Sequence, residues 1–222
     1  MILKDGGTLR LRPPASSDAD ALVAFFAGLS EDSRSTRFHG ARRVDRELVE
    51  PYLNPDWADR GGLIATLAGE HDLEVIVGLA TYGRLSGSTA EMAFSVSDPQ
   101  QGRGIGTRLL EQLAVRARDA GISAFVADVM ASNAVALSVF AGAGFELVRE
   151  LEHGEIELRF PIAATGDFKA RMEERDHTAV VGPSADDYGL TFEGRVEQLF
   201  HRHEERVHVD MEIRFHSFHP EL

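Results

Sequence analysis

The stretch SDPQQGRGIGTRLLEQL, residues 97–113, sets Gly102, Gly104 and Gly106 at alternate positions and then runs straight into a helical pattern. A helix N-terminus carries unpaired N–H groups and the positive end of the peptide dipole. Glycines placed before it let an anion lie against bare backbone with no Cβ in the way. Phosphate or pyrophosphate is the ligand such a loop suits; the plainer alternative is a tight strand-to-helix turn that binds nothing. A P-loop requires Gly-Lys-Ser/Thr, and Gly106 is followed by Thr107 with no lysine. A dinucleotide-binding fingerprint requires G-x-G-x-x-G directly after a strand, whereas here the spacing is G-x-G-x-G with DPQQ intervening. Asp128 lies at about the right distance for a ribose contact but falls inside the next strand pattern.

Working outward from the loop, periodicity divides the chain into short strands and a few helices. Residues 104–120 form a helix with Ile105, Leu109, Leu113 and Ala117 at turn spacing, Arg116 and Arg118 near its end and Gly121 after it. TAEMAFSVSD, residues 89–98, is the strand before the loop, and LIATLAGEHDLEVIVGLATYG before that reads as two strands around a GEHD turn. Nearer the N-terminus, LRLRP alternates as a strand. SSDADALVAFFAGL follows as a helix with Leu22, Phe25, Phe26 and Leu29 on one face, and DRELVEPYL is a shorter helix bent or split at Pro51. After the loop helix come a strand (ISAFVADVM), a helix ending in glycine (SNAVALSVFAGAG) and a hairpin closed near His153 and Gly154. The predicted order is strand, two helices, three strands, helix, strand, helix, two strands.

Composition limits the function classes. A chain of 222 residues with 43% hydrophobic and 27% charged residues suits a globular protein of one domain, or one plus an appendage. No run is apolar enough to span a membrane and no signal peptide opens the chain, so the expected location is cytoplasmic, without membrane contact. The absence of cysteine removes disulfides, thiolate metal sites and a cysteine nucleophile. A formal net charge of −13, with Lys4 and Lys169 the only lysines, disfavours nucleic acid as a partner and favours a cationic one.

Gln101-Gly102-Arg103-Gly104-Ile105-Gly106 has the form Q/R-x-x-G-x-G/A, which resembles the acyl-CoA pyrophosphate loop of the GNAT superfamily of N-acetyltransferases. Asn133, Ala136, Phe140 and then Gly144-Phe145 look like the second cofactor segment of that family, and the predicted element order is similar to its fold. The resemblance covers residues 1 to about 162. It implies an α/β domain whose mixed, mostly antiparallel central sheet splays between its fourth and fifth strands and is flanked by helices. Within the superfamily, AFFAGLSEDSRSTRF (residues 24–38) and the AEMAFSV strand resemble bacterial protein-lysine acetyltransferases (Pat-like) that modify acyl-CoA synthetases. On the bland reading, that first helix merely packs on the sheet and Arg34 and Arg37 are solvated.

Acyl transfer to an amine needs a group that removes its proton, because an ammonium of pKa about 10.4 has no lone pair. Glu91 is the candidate base. It opens the strand that leads into the loop, and alternation sets it on one face with Ala93, Ser95 and Ser97, opposite Met92, Phe94 and Val96. The resemblance places the family's general-base glutamate at the same position. The resemblance further implies acetyl-CoA as cosubstrate. Main-chain groups of Phe94, Ser95 and Val96 would pair with the pantetheine amides, and the N–H groups of Gly102, Arg103, Gly104, Ile105, Gly106 and Thr107 would hold the pyrophosphate. Gln101 belongs to the same motif, Arg103 is expected to screen phosphate charge, and Asn133 to contact the cofactor near its sulfur. Many family members carry a tyrosine where this chain has Phe140, which cannot protonate the departing thiolate. Water or another hydroxyl such as Tyr82 is then expected to do so, with Phe140 lining the pantetheine. With no cysteine, direct transfer in a ternary complex is expected.

Residues 163–222 form a C-terminal extension beyond the 1–162 domain: a polar helix or linker, a loop, a short helix near 192–203 and an amphipathic strand, RVHVDMEIRF. That strand needs a sheet to join, either the catalytic one, a second copy of the chain in a homodimer, or a partner domain. Histidines 201, 203, 208, 216 and 219 invite a metal, but His208 and His216 lie on the polar side of the strand and no cysteine assists, so a solvated surface and no metal site is expected. Three functions remain in view: acetylation of a lysine-bearing protein such as an acyl-CoA synthetase, acetylation of a small amine, and non-enzymatic sensing of acyl-CoA.

Overall fold

Strand alternation and turn chemistry assemble a seven-stranded mixed sheet in the order β1-β2-β3-β4-β5-β7-β6. The computed structural model describes Leu3, residues 7–38, Gly40, and residues 42–69 and 74–162. The strands are β1 (Leu9–Arg12), β2 (Arg60–Ala68), β3 (Glu74–Ser86), β4 (Thr89–Val96), β5 (Ala124–Met130), β6 (Val148–Glu152) and β7 (Glu155–Pro161). The helices are α1 (Ala19–Ala27), α2 (Glu31–Phe38), α3 (Arg46–Val49), α4 (Ile105–Asp119) and α5 (Ala134–Ala143). Neighbouring strands run antiparallel except β4 and β5, which are parallel and in register only where Thr89, Ala90 and Glu91 meet Ala124, Phe125 and Val126. Past those three positions the strands have no registered pairs, and this is the expected splay between the fourth and fifth strands.

The sheet separates two apolar layers. On one face, Ile105, Leu109, Leu113 and Ala117 of α4 are buried together with Ala90 and Met92 of β4, Phe125 of β5 and Phe140 of α5. On the other, Leu22 and Phe26 of α1 pack on Val49 of α3 and on Ile64, Ile76 and Leu79 of the sheet. Complete burial of side chains such as Leu22 and Phe26 contributes about 1.5–3 kcal/mol each, which is why the helical periodicity of these segments was readable.

Where the sequence predicts two helices before β2, three are present. The first ends at Gly28, its C-cap, and a new helix starts after Ser30, whose hydroxyl accepts from the Ser33 N–H at 3.2 Å. Asp45 caps α3 by accepting from the Leu48 N–H, and the helix tightens into a 3-10 turn at Pro51 as expected. His153 (φ 50°) and Gly154 (φ 89°) make the two-residue turn of the β6–β7 hairpin. The predicted GEHD turn at residues 70–73 and the extension at 163–222, with its strand and histidines, lie outside the described residues.

Candidate active site

The glycine loop owes its shape to backbone conformations that side chains rarely adopt. Gly102 (φ 75°) and Gly104 (φ 83°) are both left-handed, and a Cβ at either would meet nothing within 4 Å, so the surrounding space is open. Gly106 is a glycine for a different reason: a Cβ there would stand 3.3 Å from both Phe94 and Val139, where α4 crosses close to β4 and α5. Gly104 caps α4 and leaves the N–H groups of Ile105, Gly106 and Thr107 as the first turn, which has no intrahelical acceptor to use. Bare amides, a helix dipole and open space together make a cradle for a phosphate or diphosphate. Gln101 donates its side-chain N–H to the Val96 carbonyl at 3.2 Å and ties the loop to the end of β4, while the Arg103 guanidinium donates to the Gln100 side chain.

β4 delivers the remaining expected residues. Met92, Phe94 and Val96 join the α4 layer, so Glu91, Ala93 and Ser95 face the α1 side, as alternation predicts. Glu91 is half-buried and pairs across the ladders with Gly83 of β3 and Val126 of β5, at the point where the splay begins. Ser95 is 9% exposed, and its hydroxyl finds no hydrogen-bond partner among the described residues. Asn133 caps α5 by accepting from the Ala136 N–H at 3.0 Å. Phe140 is 2% exposed, with its ring centroid 5.5 Å from Phe94 and 5.6 Å from Phe160. It thus packs under Phe94 within the α4 layer and is itself covered, rather than open to a ligand as expected.

Tyr82 does not serve as the expected alternative acid. It stands opposite Met92, on the α4 face and so across the sheet from Glu91, and its hydroxyl donates to the Trp57 carbonyl at 2.6 Å. Burial pushes its phenol above the ordinary value. Its proton is committed to the Trp57 carbonyl, on the face of the sheet opposite Glu91.

Two features escaped the sequence reading. The Asp98 carboxylate, just ahead of the glycine loop, accepts from the Ser30 N–H (2.9 Å), the Ser30 hydroxyl (2.9 Å) and the Ser33 hydroxyl (2.6 Å). The Ser33 bond, with the others, holds its carboxyl below the usual range. The only cue was Ser30 ahead of a polar segment, an N-cap residue type that says nothing about a partner 68 residues away in the chain. The second is a groove of about 470 Å³ between α2 and the following segment, lined by Glu31, Arg34, Ser35 and Arg42 among others. No group of three or more His, Asp or Glu side chains suited to a metal occurs among the described residues, and none of their helices is long and apolar enough to cross a membrane.

Residues 28–145 match the model of the acetyltransferase (GNAT) family, over the stretch that contains Glu91, the glycine loop and Asn133. The chain belongs to the GNAT acetyltransferase family. Among GNAT relatives, acetyltransferase Pat of Mycolicibacterium smegmatis is 30% identical over 150 residues, which are 67% of this chain and 44% of that protein. The L-methionine sulfoximine/L-methionine sulfone acetyltransferase of Pseudomonas aeruginosa is 35% identical over 77 residues, 32% of this chain and 45% of the relative. This GNAT chain thus spans less than half the length of the curated relatives it matches. Among solved structures, the GNAT domain of S. lividans PAT superposes with a TM-score of 0.66 at 35% identity, covering 72% of this chain and 94% of that one.

Proposed function

We propose that this GNAT protein is an acetyl-CoA-dependent N-acetyltransferase, with residues 1–162 as its catalytic domain and a protein lysine side chain as its acceptor. One observation carries the proposal: a single strand, β4, joins the left-handed glycine loop at one end to Glu91 at the other, on the edge where β5 splays away. At about 3.3 Å per residue, Glu91 lies about 20 Å back along the strand from Ser97, a span an extended pantetheine arm covers. Acetyl-CoA supplies an acyl thioester when bound. The amides of residues 102–107 bind the diphosphate, and the backbone edge of Phe94, Ser95 and Val96 orients the arm as an added strand would. Glu91 accepts a proton from the incoming ammonium, directly or through one water. The freed amine forms its bond to the carbonyl carbon as the carbon–sulfur bond breaks; its second proton passes through water toward the departing sulfur, and the proton on Glu91 returns to solvent. The thiolate, with a thiol pKa of about 8.5, leaves without a dedicated side-chain acid and takes its proton from water.

The kinship with Pat supports a protein lysine as acceptor. A small amine is the second reading, favoured by the stretch shared with the methionine sulfoximine acetyltransferase. Glu91→Gln separates an enzyme from a sensor. Acetyl-CoA affinity by calorimetry stays within about twofold, while turnover at pH 7 falls by about 10²–10⁴ and the deficit narrows as pH approaches the amine pKa. Equal turnover in that variant removes Glu91 from the reaction; retained binding with no turnover by wild type on any amine or protein lysine leaves only a sensor.

A further inference from the structure

Helix α2 is polar on nearly every side. None of its eight residues is fully buried, and Phe38 alone reaches the apolar layer beneath α1. With so little apolar burial, α2 is fixed largely by polar contacts: Arg34 donates to the Ala27 carbonyl at 3.1 Å and Arg37 to the Tyr52 hydroxyl at 3.4 Å. At its N-terminal end the fixing group is Asp98. The carboxylate bonds the Ser30 N–H at 2.9 Å, the Ser30 hydroxyl at 2.9 Å and the Ser33 hydroxyl at 2.6 Å. Its negative charge sits at the positive end of the α2 dipole, where such bonds are strengthened.

Asp98 is also part of the approach to the glycine loop. It opens the 3-10 turn Asp98–Gln100, its own carbonyl accepts from the Gln101 N–H at 3.3 Å, and Gly102 follows directly. One residue therefore spans the last turn before the diphosphate cradle and the first turn of the helix that carries Glu31, Arg34 and Ser35 into the groove beside α2. We infer that Asp98 is a positioning residue that couples the donor cradle to α2: filling the 102–107 cradle steadies Asp98, which in turn steadies α2. This rests on the acetyl-CoA reading above.

Hydrogen exchange on the full chain, with and without acetyl-CoA alone, tests the coupling without a known acceptor. In wild type, acetyl-CoA slows exchange at residues 102–107 and also in α2. In Asp98→Asn, and more mildly in Ser33→Ala, the cradle is still protected while protection of α2 falls about tenfold, the size of one lost charge-assisted hydrogen bond. The Ser33→Ala effect should vanish on the Asp98→Asn background, as expected when two changes break one interaction. If both variants merely speed α2 exchange and acetyl-CoA still slows it by the wild-type factor, Asp98 is a static strut and the inference is overturned. Protection of the cradle in wild type with no change in α2 overturns it as well, and leaves the donor-binding reading standing. No protection of the cradle in wild type removes both.

Discussion

Gly83 and Glu91 face one another across β3 and β4, and a Cβ built on Gly83 meets nothing within 4 Å. The neighbour of the candidate base is thus a gap where most antiparallel pairs carry two side chains about 5 Å apart. Gly83→Val is expected to fill this gap without strain, since the backbone is extended and valine favours strands. Thermal stability stays at or above wild type, while turnover falls because the amine can no longer approach Glu91. A variant with wild-type kinetics would mean that the acceptor arrives from elsewhere.

Ser95 makes the opposite kind of prediction. A buried hydroxyl with no partner among the described residues costs free energy in the fold, about 1–3 kcal/mol by mutational measures. Ser95→Ala should therefore raise stability by about 1 kcal/mol, or about 2–4 °C in Tm for a chain of this size, as read by calorimetry. Loss of stability would reveal an unrecognised partner for the hydroxyl.

Tyr82→Phe tests the removal of Tyr82 from the chemistry. Losing the 2.6 Å bond to the Trp57 carbonyl leaves a part-buried acceptor unsatisfied and costs about 1–2 kcal/mol of stability. The pH dependence of turnover should be unchanged. A lowered turnover together with disappearance of an alkaline limb present in wild type would return Tyr82 to the list of acids.

Acid stability should depend on Asp18. Arg12 donates to both its carboxylate oxygens, at 2.6 and 2.8 Å, and the Ala15 N–H adds a third bond at 2.7 Å. The guanidinium above all, and then the amide, hold the folded-state pKa below the ordinary value against the opposing effect of burial. A depressed carboxyl stabilises the fold above its unfolded pKa of about 3.9, and that contribution is lost as pH falls through the lower folded value. Urea midpoints between pH 6 and pH 3 should thus drop further for wild type than for Asp18→Asn. Parallel curves would show that the pair contributes nothing.

These residues also show what the sequence could and could not disclose. The glycine loop, the facing of Glu91 and the α4 stripe are set by local rules, namely positive φ, strand alternation and helical spacing, so each was legible before any coordinates. The first helix is legible to Leu29, next to its C-cap Gly28, but EDSRSTRF holds a single apolar residue, Phe38, and so carries no stripe that marks α2 as a helix. Asp98 with Ser30, and Tyr82 with Trp57, are partners across long stretches of chain, and no periodicity records a contact of that kind. Phe140 was visible as a departure from the family's tyrosine, yet its place between Phe94 and Phe160 depends on three separate elements meeting.

The brief parallel contact of β4 with β5 has an evolutionary consequence. Beyond Glu91, what a donor molecule would meet along β4 is peptide edge, which every amino acid except proline presents alike. Substitutions along that rim leave the slot readable, whereas one inserted or deleted residue shifts its reading frame and turns the acid to the other side of the sheet. Length, more than spelling, is what selection must guard here.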